Sequence, residues 1–156
     1  MTIKRIVFLL GLLITSCSRQ IDEDLIHASA SGNVEEIKRL LSLGANIEAV
    51  AFEDWTPLTT AADRGQLDAV KTLIEAGAKV DAPAPGGVRA WELAAIKGHE
   101  DVVAYLLQAG ADINAVGAKS LQYDLTIIRR KNFKSVEDLL TKHGLKKPPD
   151  EPITSK

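Results

Sequence analysis

The sequence predicts an all-α solenoid, in which about four repeats of paired antiparallel helices are joined by hairpin loops. Glycines recur in two sets with a 33-residue period: Gly32, Gly65 and Gly98, then Gly44, Gly77 and Gly110. Between them, apolar residues recur at i, i+3 and i+4, which places them on one face of a helix: Ile37, Leu40 and Leu41; Val70, Leu73 and Ile74; Val103, Leu106 and Leu107. Self-similarity at a fixed period is the signature of a repeat architecture.

Composition limits the possible classes of protein. The chain has 156 residues, 19 Lys+Arg against 21 Asp+Glu, a net charge of −2, a hydrophobic fraction of 46% and one cysteine. This length suits one ordinary domain, and the charge balance argues against a strongly basic nucleic-acid binder. A single cysteine excludes an intrachain disulfide and a cysteine-based zinc cluster.

The N-terminus has the pattern of an export signal. Lys4 and Arg5 precede an unbroken apolar stretch at 6–14, which is too short for a membrane-spanning helix of about 20 residues. The run Ile14-Thr15-Ser16-Cys17 resembles the bacterial lipobox. That resemblance implies removal of the signal before Cys17 and acylation of this cysteine, so that lipid anchors the mature chain to a membrane. The alternative is an ordinary signal peptide with an incidental thiol.

These features predict four segments. We expect a lipoprotein signal peptide at 1–16, the lipidated cysteine and a short linker at 17–22, a repeat domain at 23–145 and a disordered tail at 146–156. Ser18 follows the cysteine, as in lipoproteins sorted to the outer membrane. The resemblance therefore implies a lipid-anchored protein of the outer membrane that faces the periplasm.

The second repeat identifies the family that the array resembles. It reads Thr56-Pro57-Leu58-Thr59, then Ala61-Ala62 and Gly65, and closes with Gly77-Ala78. This run resembles the ankyrin repeat with its T-P-L-H-x-A opening, although Thr59 stands in the place of the histidine. The resemblance covers about residues 21–144. The outer repeats depart from it: repeat one lacks the TPLH run, and repeat four has Ile128 in place of alanine and Asn132 in place of glycine.

Each element of the repeat has a physical role. Pro57 is tolerated in the first turn of a helix, where its missing N–H is not needed. Alanines at 61, 62, 94 and 95 let neighbouring repeats approach closely. Gly65 and Gly98 turn the chain between paired helices, and Gly77 and Gly110 end the second helix in a left-handed conformation.

The ankyrin resemblance implies binding of a protein partner through a concave face of hairpin tips and first-helix ends. The matching positions in repeat two are Val50, Phe52, Glu53, Trp55, Asp63 and Arg64; those in repeat three are Pro83, Pro85, Val88, Ile96 and Lys97; those in repeat four are Val116, Lys119, Arg129 and Arg130; repeat one offers Ala30 and Ser31. Phe52 and Trp55 resemble an exposed hot spot, or else the hairpin folds its own aromatics onto the array. Trp91, at the helix-one leucine position, is expected in the core.

No pattern of catalytic residues stands out. The sequence lacks GxSxG, HExxH and a phosphate-binding glycine loop. His27, His99 and His143 belong to three different repeats, so we expect structural roles, with His27 packed or hydrogen-bonded, and no metal site. The expected protein is not an enzyme and uses no cofactor, nucleic acid or small-molecule substrate. It acts in the bacterial cell envelope as a scaffold or adaptor; alternatively, it is a dedicated inhibitor or immunity protein against a toxin or lipase.

The lipobox interpretation predicts the behaviour of a Cys17→Ala variant. We expect it to take up no labelled fatty acid and to accumulate as an unprocessed precursor, because the acylated atom is the cysteine sulfur. Metabolic labelling and gel mobility measure both effects. Labelling and mobility equal to those of the wild type would contradict the interpretation.

Overall fold

A computed structural model describes residues 18–50, 55–84, 87–115 and 118–146, with the backbone alone for 118–123. Several predictions lie outside these ranges and stay predictions: the signal peptide, the lipidation of Cys17, the tail beyond residue 146, and the roles of Phe52, Glu53, Pro85 and Val116. Within the described ranges the regular structure is α-helical, without strands.

The helices form four consecutive pairs. The first pair is α1 at 18–31 with α2 at Val34–Ser42, and the second is α3 at Pro57–Asp63 with α4 at Leu67–Glu75. The third is α5 at Ala90–Lys97 with α6 at Glu100–Gln108, and the fourth is α7 at Ala118–Arg130 with α8 at Lys134–Lys142. The predicted fold class, an all-α solenoid of about four repeats, is confirmed. No helix in the described ranges combines the length and hydropathy needed to cross a bilayer.

Residues 18–22 differ from the expected short linker, because they are the first residues of α1. Asp22 explains part of this difference. Its carboxylate accepts a hydrogen bond from the backbone N–H of Asn46 at 2.7 Å, which attaches the start of α1 to the loop after α2. Five helical residues rise about 7 Å, against the roughly 15 Å or more of an extended strand of the same length.

The helices pack in two layers. Helices α3, α5 and α7 contact one another in sequence and form the inner layer, and α2, α4, α6 and α8 do the same in the outer layer. The core lies between the layers, where Leu40, Leu73, Trp91 and Leu106 are at most 1% exposed. Trp91 is thus in the core, as predicted. Because each pair buries its apolar side against the next pair, stability comes from stacking, as in other solenoids.

Helix α3 begins with a reciprocal cap. The backbone N–H of Thr59 donates to Thr56 Oγ1 at 3.2 Å, and the backbone N–H of Thr56 donates to Thr59 Oγ1 at 2.8 Å. In α5 the equivalent positions hold Arg89 and Glu92, and the Arg89 backbone N–H donates to Glu92 Oε2 at 2.6 Å. Satisfying the orphan N–H groups at a helix start stabilises the helix by about 1 kcal/mol.

The turns inside each pair depend on close approach between repeats. Gly65 has φ +69°, and a Cβ there would lie 2.6 Å from Nδ1 of His99, which belongs to the next repeat. Gly98 has φ +82°, and its Cβ would lie 2.7 Å from the ring of Phe133. The fourth turn uses Asn132 at φ 58° instead, and asparagine is among the residues that tolerate this region best. The predicted roles of these turn positions are confirmed.

Hydrogen bonds also join successive loops. The backbone N–H of Lys79 donates to Glu48 Oε1 at 2.8 Å, and that of Asp112 donates to Asp81 Oδ1 at 3.0 Å. Asn114 Oδ1 accepts from the backbone N–H of Lys146 at 3.1 Å. The acceptors at 48, 81 and 114 keep the 33-residue period, so side chains of one loop orient the backbone of the next.

The turn geometry predicts different effects for two alanine substitutions. Gly65→Ala and Gly77→Ala both place an L-residue at positive φ, which costs about 1–2 kcal/mol. Only Gly65→Ala also forces the His99 ring away, since space around Gly77 is open. We therefore expect Gly65→Ala to lower the free energy of unfolding by about 1–3 kcal/mol more. Urea unfolding monitored by circular dichroism measures the difference, and equal losses would contradict the packing argument.

Candidate protein-binding surface

The third-repeat hairpin shows how the loops are held. The backbone N–H of Ala84 donates to the carbonyl oxygen of Val88 at 2.9 Å, and that of Gly87 donates to the carbonyl oxygen of Ala84 at 2.6 Å. Ala84 is 3% exposed, so one side of the hairpin packs against the array. Val88 is half-buried and Pro83 is exposed. The hairpin therefore has one anchored side and one side that contacts solvent.

The described candidates differ in exposure. Val50 is 49% exposed and is one of two large apolar side chains that are exposed in the described ranges, the other being Leu43 on α2's side of the array. The side chains of Arg64 and Lys97 are 62% and 47% exposed. Trp55, Val88 and Ile96 are half-buried. These residues place accessible apolar and cationic groups at the hairpins and inner-layer helix ends.

Trp55 is intermediate between an exposed hot-spot residue and an aromatic packed onto the array, the two alternatives that the sequence left open. It is neither fully exposed nor part of the buried core. It directly precedes Thr56, whose side chain caps α3. A half-buried tryptophan keeps part of its ring available to a partner, and its backbone lies in a well-fixed helix start.

Asp63 does not offer the accessible carboxylate expected of a binding residue. It is 6% exposed and lies 3.2 Å from Nζ of Lys97 on the next repeat. Its backbone oxygen lies 3.0 Å from His99 Nε2, so His99 has the structural role predicted for it. The role of Asp63 in partner binding stays a prediction, but its carboxylate contacts the neighbouring repeat, which one repeat read alone does not reveal. We interpret it as the residue that positions Lys97.

Lys119 also differs from its predicted place at a hairpin tip. Its backbone belongs to the first turn of α7, a helix of 13 residues where α3 has 7 and α5 has 8. The physical reason is composition: residues 118–123 contain no proline or glycine, whereas the loop of repeat three contains Pro83, Pro85 and two glycines. The inner helix of repeat four therefore begins earlier in its repeat than α5 does in repeat three.

The three histidines belong to different helix pairs. Among the described residues, no group of three or more His, Cys, Asp or Glu side chains could hold a metal ion. His143 caps α8, with Nδ1 2.9 Å from the Leu139 carbonyl oxygen. His27, expected to be packed or hydrogen-bonded, is exposed and therefore not packed in the core. An open groove of about 700 Å³ lies between α1 and the first loop, and its lining includes Arg19, Asp22 and Glu48.

A buried pair of carboxyl groups joins repeats three and four. Glu92 on α5 is 1% exposed and Asp124 on α7 is 5% exposed. Burial, together with the charge of Glu92 and a hydrogen bond to it, raises the pKa of Asp124 to about 7. Arg89 Nη1 lies 3.9 Å from Glu92 Oε2. The Asp124 carboxyl therefore binds a proton below about pH 7, well above the pH at which an exposed aspartate does so.

Sequence reasoning missed this pair, although a signal was present. Glu92 lies one repeat period after Thr59, at the position that the ankyrin pattern gives to histidine. An acidic residue at such an inter-repeat position needs a proton or a cation nearby. Asp124, one residue before the core residue Leu125, has no such signal in the sequence alone.

A family model for ankyrin repeats (three copies) matches residues 25–116, which is more than half of the chain. The chain belongs to the ankyrin-repeat family. The fourth helix pair, α7 and α8, follows the matched residues. A search of curated proteins found no match. Ankyrin repeats imply protein–protein interaction, and ankyrin-repeat proteins are generally interaction modules rather than enzymes.

The carboxyl pair predicts a pH dependence of this ankyrin array's stability. Because Asp124 binds its proton more tightly in the folded state, stability falls as pH rises from about 4, its ordinary pKa, to about 7. Asp124→Asn removes this titration. We expect the variant to be more stable than the wild type by about 2 kcal/mol at pH 8, with the advantage shrinking towards pH 4.

Urea unfolding at several pH values measures this difference. Asp101→Asn is the matched control, because Asp101 lies in the exposed first turn of α6. A stability difference between Asp124→Asn and wild type that does not change with pH would contradict the raised pKa.

Proposed function

We propose that this ankyrin-repeat protein is anchored to the bacterial cell envelope through lipidated Cys17 and acts as a scaffold or adaptor. In this proposal it holds a protein partner on the face formed by its hairpins and inner-layer helix ends. The observation that carries the proposal is the cluster of accessible side chains on that face. It includes exposed Val50, half-buried Trp55 and the cations Arg64 and Lys97.

Chemical variety on this face favours a protein partner. Val50 and Trp55 offer apolar and aromatic area, and Arg64 offers a planar group with five N–H donors. Tryptophan and arginine are enriched among residues that dominate binding energy at protein interfaces. In the outer layer, Lys71 pairs with Asp68 at 3.2 Å and Arg39 pairs with Glu36 at 2.6 Å, each within a single helix.

The proposed anchor would keep the array close to the bilayer. Helix α1 is already formed at residue 18, one position after Cys17. A lipid on this cysteine would thus leave almost no flexible chain between the membrane and the first repeat. Two or more acyl chains are needed for stable attachment, as the lipobox resemblance implies. The partner is then a membrane-proximal or periplasmic protein of the envelope.

Site-specific photo-crosslinking tests this proposal. A photoreactive residue at position 55 of the full chain in cells is expected to capture one dominant protein, which mass spectrometry identifies. The matched control carries the same residue at position 71, on the outer layer. Equal or absent capture from both positions would contradict partner binding on the inner face.

Two tryptophan variants separate binding from folding. Trp55→Ala is expected to reduce capture of that partner, measured by affinity pull-down, while leaving the Tm nearly unchanged. Trp91→Ala is the contrasting variant, because this ring is completely buried, and its loss is expected to cost about 3–5 kcal/mol of stability. A Trp55→Ala protein that unfolds would place Trp55 in the core instead.

A further inference from the structure

Cations occupy one place in three successive repeats. Arg64, Lys97 and Lys131 follow or end the inner-layer helices α3, α5 and α7, one repeat period apart, with a single extra residue before the third. We name these three residues the basic row. All three are exposed, and exposed Arg130 lies beside the last of them. The first repeat has Ser31 at this place, so the row runs through repeats two to four.

Contacts with the array hold the basic row in position. Lys97 Nζ lies 3.2 Å from Asp63 Oδ1, and Lys131 Nζ donates to the Ile96 carbonyl oxygen at 3.2 Å. Both contacts reach back to the preceding repeat. Arg64 Nε lies 3.8 Å from Asp63 Oδ2. Side chains that are already ordered lose less conformational entropy when a partner binds.

The row carries more positive charge than its surroundings neutralise. Asp63 is the one carboxylate in ion-pair contact with the row among the described residues, and it serves both Arg64 and Lys97. Lys131 lies 5.8 Å from the Phe133 ring centroid, a cation–π contact that leaves its charge in place. The chain as a whole has more acidic than basic residues. The row therefore places three exposed cations on one edge of a net-negative protein.

The row's geometry defines the charge spacing of a matching partner. Neighbouring helices pack about 8–10 Å apart, so the cations recur about every 10 Å over about 20 Å. An α-helix rises about 1.5 Å per residue, so carboxylates seven residues apart on a partner helix match this interval. Each lysine ammonium has three N–H donors, and the array uses only part of this capacity.

Carboxylates that follow the row in the sequence disfavour partners that are anionic over a broad area. The outer-layer helices begin with acidic residues a few positions further along the chain, at Asp68 in α4 and at Glu100 and Asp101 in α6. A bilayer or a nucleic acid is anionic over a broad area and would also meet these carboxylates. A single protein segment is narrow enough to contact the row alone.

We propose that the basic row binds an acidic helical segment of the protein partner, with carboxylates spaced to match the three cations. The inference rests on the proposed function, since it names the chemistry of the partner on the same face. The row supplies charge complementarity and register, and Val50 and Trp55 supply apolar contact area. Complementary charge of this kind raises association rates and makes them depend on salt.

The first experiment measures binding of a defined probe to the purified full chain. The probe is an alanine-rich helical peptide with glutamates at every seventh position, and its control has glutamine at those positions. We expect the glutamate peptide alone to bind, with a Kd that rises as salt is increased. A variant with Arg64→Gln, Lys97→Gln and Lys131→Gln is expected to weaken binding about tenfold.

Matched controls make the result specific. Lys38→Gln, Lys71→Gln and Lys142→Gln remove the same charge from the outer layer, and together they should change the Kd less than twofold. Equal binding of the glutamine peptide, or an equal loss in the outer-layer variant, would overturn the proposal. Preferential row-dependent binding to phosphatidylglycerol vesicles or a DNA duplex would also overturn it. The salt dependence of the wild-type Kd needs no variant. It therefore still tests the proposal if the row variant fails to fold.

Crosslinking in the row variant separates this inference from the proposed function. If the row variant captures the partner from position 55 as strongly as the wild type does, the basic row is not a binding element. The proposed function would then still stand. Capture lost in the folded row variant, but kept in the outer-layer variant, would support the row. No capture from position 55 in the wild type would overturn the proposed function itself.

Discussion

The distance between successive repeats is the constraint on which the rest of this structure depends. His99 lies over Gly65 so closely that even a methyl group would collide with its ring. Ala61 and Ala94, both fully buried, let α3 and α5 meet along their length. Only at this separation do the loop carboxylates reach the next loop's backbone and does Lys97 reach Asp63. The spacing of the surface charges is thus a by-product of core packing.

The repeats depart from one another where repeat three meets repeat four. Ile128 is buried at the inner-layer position where repeat three has Ala94, and α7 is longer than the inner helices before it. Glu92 and Asp124 face each other at the same junction, where a proton takes the place of a counter-ion. This boundary therefore combines a bulkier side chain with a buried acidic pair, and its stability depends on pH through Asp124.

The periodic part of the fold could be predicted from sequence because the same physical requirement recurs in each repeat. Glycines at positive φ, the cap at Thr56 and the buried Trp91 follow from local rules that apply within one helix pair. The candidate surface was predictable in outline, because the period places Arg64 and Lys97 at the ends of inner-layer helices. The sequence was less informative where a residue's surroundings belong to another element. Asp63 lies beneath a side chain of the following repeat, and the start of α1 is held by the loop after α2.

The loop-to-loop hydrogen bonds have a consequence for how such a protein can change over generations. Each bond joins a side chain at the same position of its repeat to a backbone N–H that lies 31 or 32 residues later in the chain. Duplicating or deleting one whole unit preserves every donor and acceptor, whereas a residue gained inside a loop shifts a donor away from its acceptor. The fourth unit's extra residue lies between Asn114 and Asn132, at or near the helical part of the unit, and the last bond still forms across it. Such an array can lengthen its binding face by gene duplication without redesigning its core.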